Sequence, residues 1–258
     1  MIAGYSIWKV IFICVGVFLS GFVDAIAGGG GLISLPVYLF AGFPTHFALG
    51  TNKLSSFIGT SASTVRYLKN GYVNLKLAIP SAVLAVVGSH LGTSLQLLID
   101  DRILKYILIV VLVAVAVVMI CKRELPEQAG EISPVKQAVI VLAAAFVLGM
   151  YDGFYGPGTG TFLLLIYCKI AKMDLKTAAG NVKIVNISSN FGALVTSILA
   201  GKVIFVIGLT AAVFAFAGQY IGAGLMMKNG SKVVVPIIFT VLGLLLLKVV
   251  LELCGISA

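Results

Sequence analysis

The sequence predicts an all-α integral membrane protein built from two inverted-topology repeats, each of about five helical segments with a short or re-entrant helix after a glycine-rich break. Three observations predict this fold class: a composition too apolar for a soluble core, an internal repeat, and a one-sided distribution of basic residues. Of 258 residues, 60% are hydrophobic and 10% charged, with a mean hydropathy of +1.13. Soluble domains hold roughly 45–50% apolar residues.

A helix that crosses a bilayer needs about 20 consecutive, mostly apolar residues. Such runs occur in order at 5–27, 47–68, 75–98, 103–121, 135–155, 176–198, 203–227 and 232–254. The first superficially resembles a signal peptide, with Lys9, an apolar stretch and Ala25-Ile26-Ala27. Cleavage there would destroy a motif that recurs later, so the run is read as the first membrane helix. Two shorter apolar runs, 32–43 and 159–170, occupy matching places, and whether they cross is open at this stage.

The repeat comes from residues 21–30, which align with 149–158 at a shift of 128; beyond Ala41 the best shift is 130. There Ala48, Gly50, Lys53, Gly71, Val73, Gly88, Gly92 and Leu95 meet Ala178, Gly180, Lys183, Gly201, Val203, Gly218, Gly222 and Leu225. The chain therefore divides into an N-terminal repeat, 1–121, a linker, 122–134, and a C-terminal repeat, 135–258. An odd number of apolar runs per half, five, places the second half upside down relative to the first.

Cytoplasmic loops are enriched in Lys and Arg. By this parity one side collects 11 basic residues and the other 5, which assigns the linker to the cytoplasm and both termini to the outside. The net charge of +9 thereby reads as a topology signal, and no nucleic-acid partner is expected. The cysteines Cys14, Cys121, Cys168 and Cys254 lack metal or disulfide spacing and read as packing residues. No cofactor and no metal are expected; His46 and His90 are too few and too far apart for a metal site.

Candidate solute-binding residues fall in two constellations. The first is the pair of breaks, Gly28-Gly29-Gly30-Gly31 and Gly156-Pro157-Gly158-Thr159-Gly160. Irregular backbone survives at membrane depth only when buried in protein or lining a wet cavity, and the helix that follows offers unpaired N–H groups to an anion. No Gly-Lys-Ser/Thr follows, so neither break is a nucleotide loop. Gly88/Gly92 and Gly218/Gly222 instead have the four-residue spacing of close helix packing.

The second constellation is a polar stripe: Asn52, Lys53, Ser56 and Thr60 in one half, Lys183, Asn186 and Asn190 in the other. Spacings of i, i+3 and i+7 put Lys53, Ser56 and Thr60, like Lys183, Asn186 and Asn190, on one helix face. An ionised side chain inside a membrane costs about 2.5–3.5 kcal/mol and so faces the bundle interior or a cavity. Each lysine either binds an anion there or acts as structural glue by pairing with Asp24 or Asp152. Those aspartates, one turn before the breaks, are candidates for backbone capping or for carrying a coupling proton. Gln219, beside Gly218, is a weaker candidate for the cavity wall.

At these motifs, namely 21–36, Gly50-Thr51-Asn52-Lys53, Tyr151-Asp152-Gly153, Gly156-Pro157-Gly158-Thr159-Gly160 and Asn186-Ile187-Ser188-Ser189-Asn190, the chain resembles the sulfite exporter TauE/SafE family, its YfcA-like branch in particular. The resemblance implies a permease of the bacterial inner membrane for sulfite, sulfonates or related organosulfur anions. The function expected is secondary transport of a small anion by alternating access, with an anion channel using the same residues as the alternative. An enzyme is not expected, for neither a Gly-x-Ser-x-Gly elbow nor a His-Glu-x-x-His helix occurs. The expected partners are the anionic solute and the lipid bilayer; the oligomeric state is left open, a homodimer included.

Overall fold

The computed structural model describes residues 4–107, 110–111 and 128–229, and every regular element among them is helical. The elements are α1 (Ile7–Ala27), α2 (Gly31–Phe40), α3 (Thr45–Lys69), α4 (Leu75–Leu97), α5 (Pro134–Phe154), α6 (Thr159–Leu165, continued by a π turn at Ile166–Ile170), α7 (Leu175–Leu199) and α8 (Phe205–Asn229). Residues 101–107 begin a further helix. The expected runs 103–121 and 232–254 lie largely or wholly outside the described residues, as do linker residues 122–127, Cys121 and Cys254; Cys14 and Cys168 are buried and free.

Local chemistry sets the ends. Ser6 caps α1, and Gly28 closes it in the left-handed conformation at φ 77°, where its N–H donates to the Asp24 carbonyl. This αL closure is the ordinary use of a glycine after a helix. Pro134 starts α5 at a position where its missing N–H costs nothing. Asp174 caps α7 by accepting from the Thr177 amide at 3.0 Å. α3 has no cap of its own, and Asp101 serves instead: its two carboxylate oxygens accept from the Thr45 and His46 amides at 2.9 and 2.8 Å.

The short runs do not continue across the molecule. α2 turns back along α1, so that Tyr5 and Phe43 stack at 4.5 Å near the chain's start. α6 and its π turn fold back along α5 in the same way: Gln137 donates to the Ala171 carbonyl at 2.7 Å and the Tyr167 hydroxyl reaches the Val141 carbonyl at 3.4 Å. Each half thus begins with a helical hairpin whose tip is the glycine break.

Packing between the halves repeats when the halves are exchanged. α4 lies against α5 and α7, and α8 against α1 and α3. Gly88 and Gly92 press on the α5 backbone at Phe146 and Met150; Gly218 and Gly222 press on the α1 backbone at Phe18 and Phe22, the equivalent residues. Any side chain there would meet main-chain atoms, which is why small residues dominate membrane helix contacts.

Five described helices, α1, α4, α5, α7 and α8, are long and apolar enough to cross a membrane. α3 is equally long, at 25 residues, but is not among them, because its polar stripe lowers its hydropathy. It sits instead among α1, α7 and α8 with that stripe buried. The outer faces of α4, α5 and α8 carry exposed Ile79, Val83, Val139, Val147, Leu209 and Val213, as a lipid-facing surface requires.

A cavity between two hairpin tips

The two breaks meet. Gly28 lies directly on the Gly160 backbone, and a Cβ built on Gly160 would fall 2.6 Å from the Gly28 Cα. Gly31 faces Pro157 in the same way. Each tip is held by its own side chains. The Ser20 hydroxyl donates to the Gly30 carbonyl at 2.7 Å, and the Tyr151 hydroxyl donates to the Pro157 carbonyl at 2.7 Å. Thr159 donates to the Gly156 carbonyl at 2.9 Å.

Both lysines are buried and each reaches across to the opposite half. Lys53 Nζ donates to Asp152 Oδ2 at 2.8 Å and to the Asp152 carbonyl at 2.6 Å. Lys183 Nζ donates to Asp24 Oδ2 at 2.9 Å and to the Asp24 carbonyl. In this structure the lysines are therefore spoken for by the aspartates, the pairing weighed above as structural glue. The carboxylates have further donors: Ser189 at 2.7 Å on Asp152, Gln219 Nε2 at 2.7 Å and the Gly30 amide at 3.3 Å on Asp24. Asp24 thus already occupies the N-terminal end of α2 that was expected to face an anion.

Beside the tips lies a cavity of about 40 Å³. By this measure a water needs about 10–15 Å³, so there is room for a few waters or one small ion. Most residues expected from sequence converge on it: Gly28, Gly30, Gly31, Asn52, Lys53, Ser56, Thr60, Gly156, Thr159, Gly160, Asn186 and Asn190, together with Asp24 and Asp152. Gly29, Gly158 and Lys183 do not line it; Lys183 stands behind Asp24, on a second pocket of about 10 Å³. Gln219, the weak candidate, is on the wall.

Sequence reasoning missed Val17, Ser20, Gly21, Gly59, Tyr155 and Ala215. Helical spacing could have found three of them. Ser20 lies four residues before Asp24, Tyr155 three after Asp152, and Gly59 three after Ser56. Three wall residues also carry buried side-chain oxygens with no protein hydrogen-bond partner: Asn52 Oδ1, Asn186 Oδ1 and Gln219 Oε1.

The histidines are engaged elsewhere. His46 Nε2 donates to the Ile99 carbonyl at 3.0 Å, and His90 Nδ1 meets Thr196 at 2.8 Å. Among the described residues no three His, Cys, Asp or Glu side chains gather as a metal site would require.

Comparison with known proteins places this architecture. A chain from Sinorhizobium, named "Probable membrane transporter protein ORF9", is 35% identical over 230 residues, covering 89% of this chain and 88% of that one. A "Probable membrane transporter protein" from Haemophilus influenzae is 32% identical over 235 residues, 91% of each chain. "Probable membrane transporter protein YfcA" from Escherichia coli K12 is 32% identical over 223 residues, 86% of this chain and 82% of that one. No solved structure matches the chain. The family described as sulfite exporter TauE/SafE matches residues 13–249, nearly the whole length. With that match, and with relatives over most of its length named as membrane transporters, the chain belongs to the sulfite exporter TauE/SafE family of membrane transporters.

Proposed function

We propose that this protein is a secondary carrier that moves a small anion of the sulfite, sulfonate or related organosulfur type across the bacterial inner membrane by alternating access. The observation that carries the reading is the polar cavity where two re-entrant tips from opposite halves meet, walled by Lys53, Asp24, Asp152 and the Asn/Ser/Thr stripe. Solute sites of many secondary transporters lie at such a place, between repeats and against broken helices. The cavity's size supports a small solute, and family membership supports a sulfur anion.

In this reading the halves are inverted repeats. The hairpin of α1 and α2 enters from outside, that of α5 and α6 from the cytoplasm, and the termini face the periplasm. Support comes from the split of basic residues, 11 against 5, and from helix contacts that recur when the halves are exchanged. Rocking of one half against the other would then open the same cavity to each side in turn.

The test is binding of sulfite, thiosulfate, methanesulfonate, sulfate and chloride to the purified protein by calorimetry. The comparison is the paired variant Lys53→Met/Asp152→Asn, which removes a donor to the anion without stranding a buried charge. A sulfur anion bound by wild type and weakened about tenfold or more, about 1.4 kcal/mol, in the folded variant is expected. No binding by wild type, or unchanged affinity in the variant, overturns the reading. In liposomes, saturable counterflow is expected; unitary currents would make the protein an anion channel.

A further inference from the structure

We propose that Asp24 holds the place of the transported anion and takes up a proton when the anion binds, so that one proton travels with each anion. This inference rests on the anion-carrier reading above and names its coupling ion and the site of coupling.

The ground is a charge count. Lys53 and Lys183 contribute two positive charges, Asp24 and Asp152 two negative ones, and the pairs close at 2.8 and 2.9 Å. The site is neutral as it stands. An anion entering it meets no uncompensated cation and two carboxylates on the wall. In a medium of low dielectric a third negative charge is strongly disfavoured unless a positive charge accompanies it.

Asp24 is the carboxylate placed to accept that charge as a proton. Its side chain is 17% exposed, against 9% for Asp152. Its donors are those an anion would want: the Lys183 ammonium, the Gln219 amide and the Gly30 N–H at the start of α2. Protonation frees the Gly30 amide on the cavity wall for the incoming anion and leaves the Lys183 charge, behind Asp24, uncompensated. It also gives the neutral carboxyl an O–H that needs an acceptor. Gln219 Oε1, buried and without a protein partner, sits on the side chain whose Nε2 now holds Asp24. Rotating that amide turns the donor contact into an acceptor contact and satisfies both groups.

The other titratable or charged groups facing Asp24 are Lys183 from α7, Lys53 from α3, and Asp152 and Tyr155 from α5; the facing residues of α2, α6 and α8 bring no titratable side chain. Asp152 is the natural comparison, because Ser189 rather than an amide completes its shell.

Methanesulfonate, which stays ionised across the working range, is the probe. Its binding to the full chain is measured by calorimetry in buffers of different ionisation enthalpy from about pH 5 to about pH 9. Wild type is expected to take up close to one proton per anion, with affinity falling about tenfold per pH unit above the titration of Asp24. Asp24→Asn should bind without proton uptake and with affinity independent of pH; the paired variant Lys53→Met/Asp152→Asn, which leaves the site neutral, should keep the uptake on whatever anion it binds. Wild-type binding with no proton uptake overturns this inference and leaves the carrier reading standing, and needs no variant to read. Uptake retained in folded Asp24→Asn overturns it too. Absence of anion binding at every pH overturns both.

Discussion

Lys53 and Asp152 illustrate how a buried pair differs from its members taken singly. Each charge is buried, and each depends on the other for most of its solvation. Removing one partner of such a pair strands the other, at about 3–5 kcal/mol, whereas replacing both with neutral groups of similar volume is often near neutral. Lys53→Met alone is therefore expected to lower the thermal stability of the detergent-solubilised protein steeply, and Asp152→Asn added to it should restore most of the loss. A single variant as stable as wild type would contradict the pairing. Asp101 poses the opposite case, a half-exposed carboxylate at a helix end. Its burial pushes the carboxyl up, but the His46 and Thr45 amides that it accepts from outweigh that and hold it below its usual 3.8. Because the folded value is depressed, the stability it confers is present above the unfolded pKa of about 3.9 and is lost as pH falls through the lower folded value. Asp101→Ala should cost about 0.5–2 kcal/mol near neutral pH, the usual worth of an N-terminal cap. Its acid unfolding curve should lack the wild-type loss in that window; parallel curves would show that the cap contributes nothing.

The hairpins show what an element inherits from its sequence and what it takes from its neighbours. Gly28 needs both a left-handed backbone, φ 77°, and the absence of a side chain, since a Cβ there would fall 2.5 Å from the Gly160 Cα. Gly71 shares the backbone need, φ 73°, but nothing lies within 4 Å of its Cβ position. Gly71→Ala is expected to cost about 1–2 kcal/mol, the left-handed penalty alone. Gly28→Ala should cost about 2–5 kcal/mol, because overpacking against backbone adds to that penalty. Equal melting temperatures for the two variants would mean that the tips do not touch. The same contrast explains how legible the fold was. Hydropathy located the described spanning helices closely, the run 5–27 against α1 at Ile7–Ala27 for instance, because each answers to lipid along its own length. The reversal of α2 and α6 stood in the sequence only as one of two alternatives, since it is fixed by contacts such as Tyr5 with Phe43 and Gln137 with Ala171 that no local pattern encodes. Likewise the polar stripe announced that Lys53 and Lys183 face inward. Which partner each would find depended on hairpins from the other half.

Across the whole molecule the halves match in contacts but not in where the cavity lies. Ser20, Gly21, Gly59, Ala215 and Gln219 line it, whereas their repeat equivalents Leu148, Gly149, Ser189, Ala85 and Ser89 do not. On that second side Gly153 and Gly192 of α5 and α7, which stand where the first half has Ala25 and Ala62, press against α4 at Ser89 and close the space. The carrier proposed above would need two states of nearly equal free energy, and an exchange of roles between the two unequally packed halves would supply the second. Alternating access by this exchange makes a sharp prediction for two equivalent alanines. In a cysteine-free background, Ala215→Cys, buried in the fold but on the cavity wall, should react with a small thiol reagent in the arrangement described, and Ala85→Cys, buried and off the wall, should not. If the proposed exchange occurs, an anion gradient should slow labelling at 215 and speed it at 85 together, since one equilibrium would govern both. Independent changes at the two sites, or rates indifferent to the gradient, would mean that the asymmetry is a fixed feature of the fold and that solute crosses by another route.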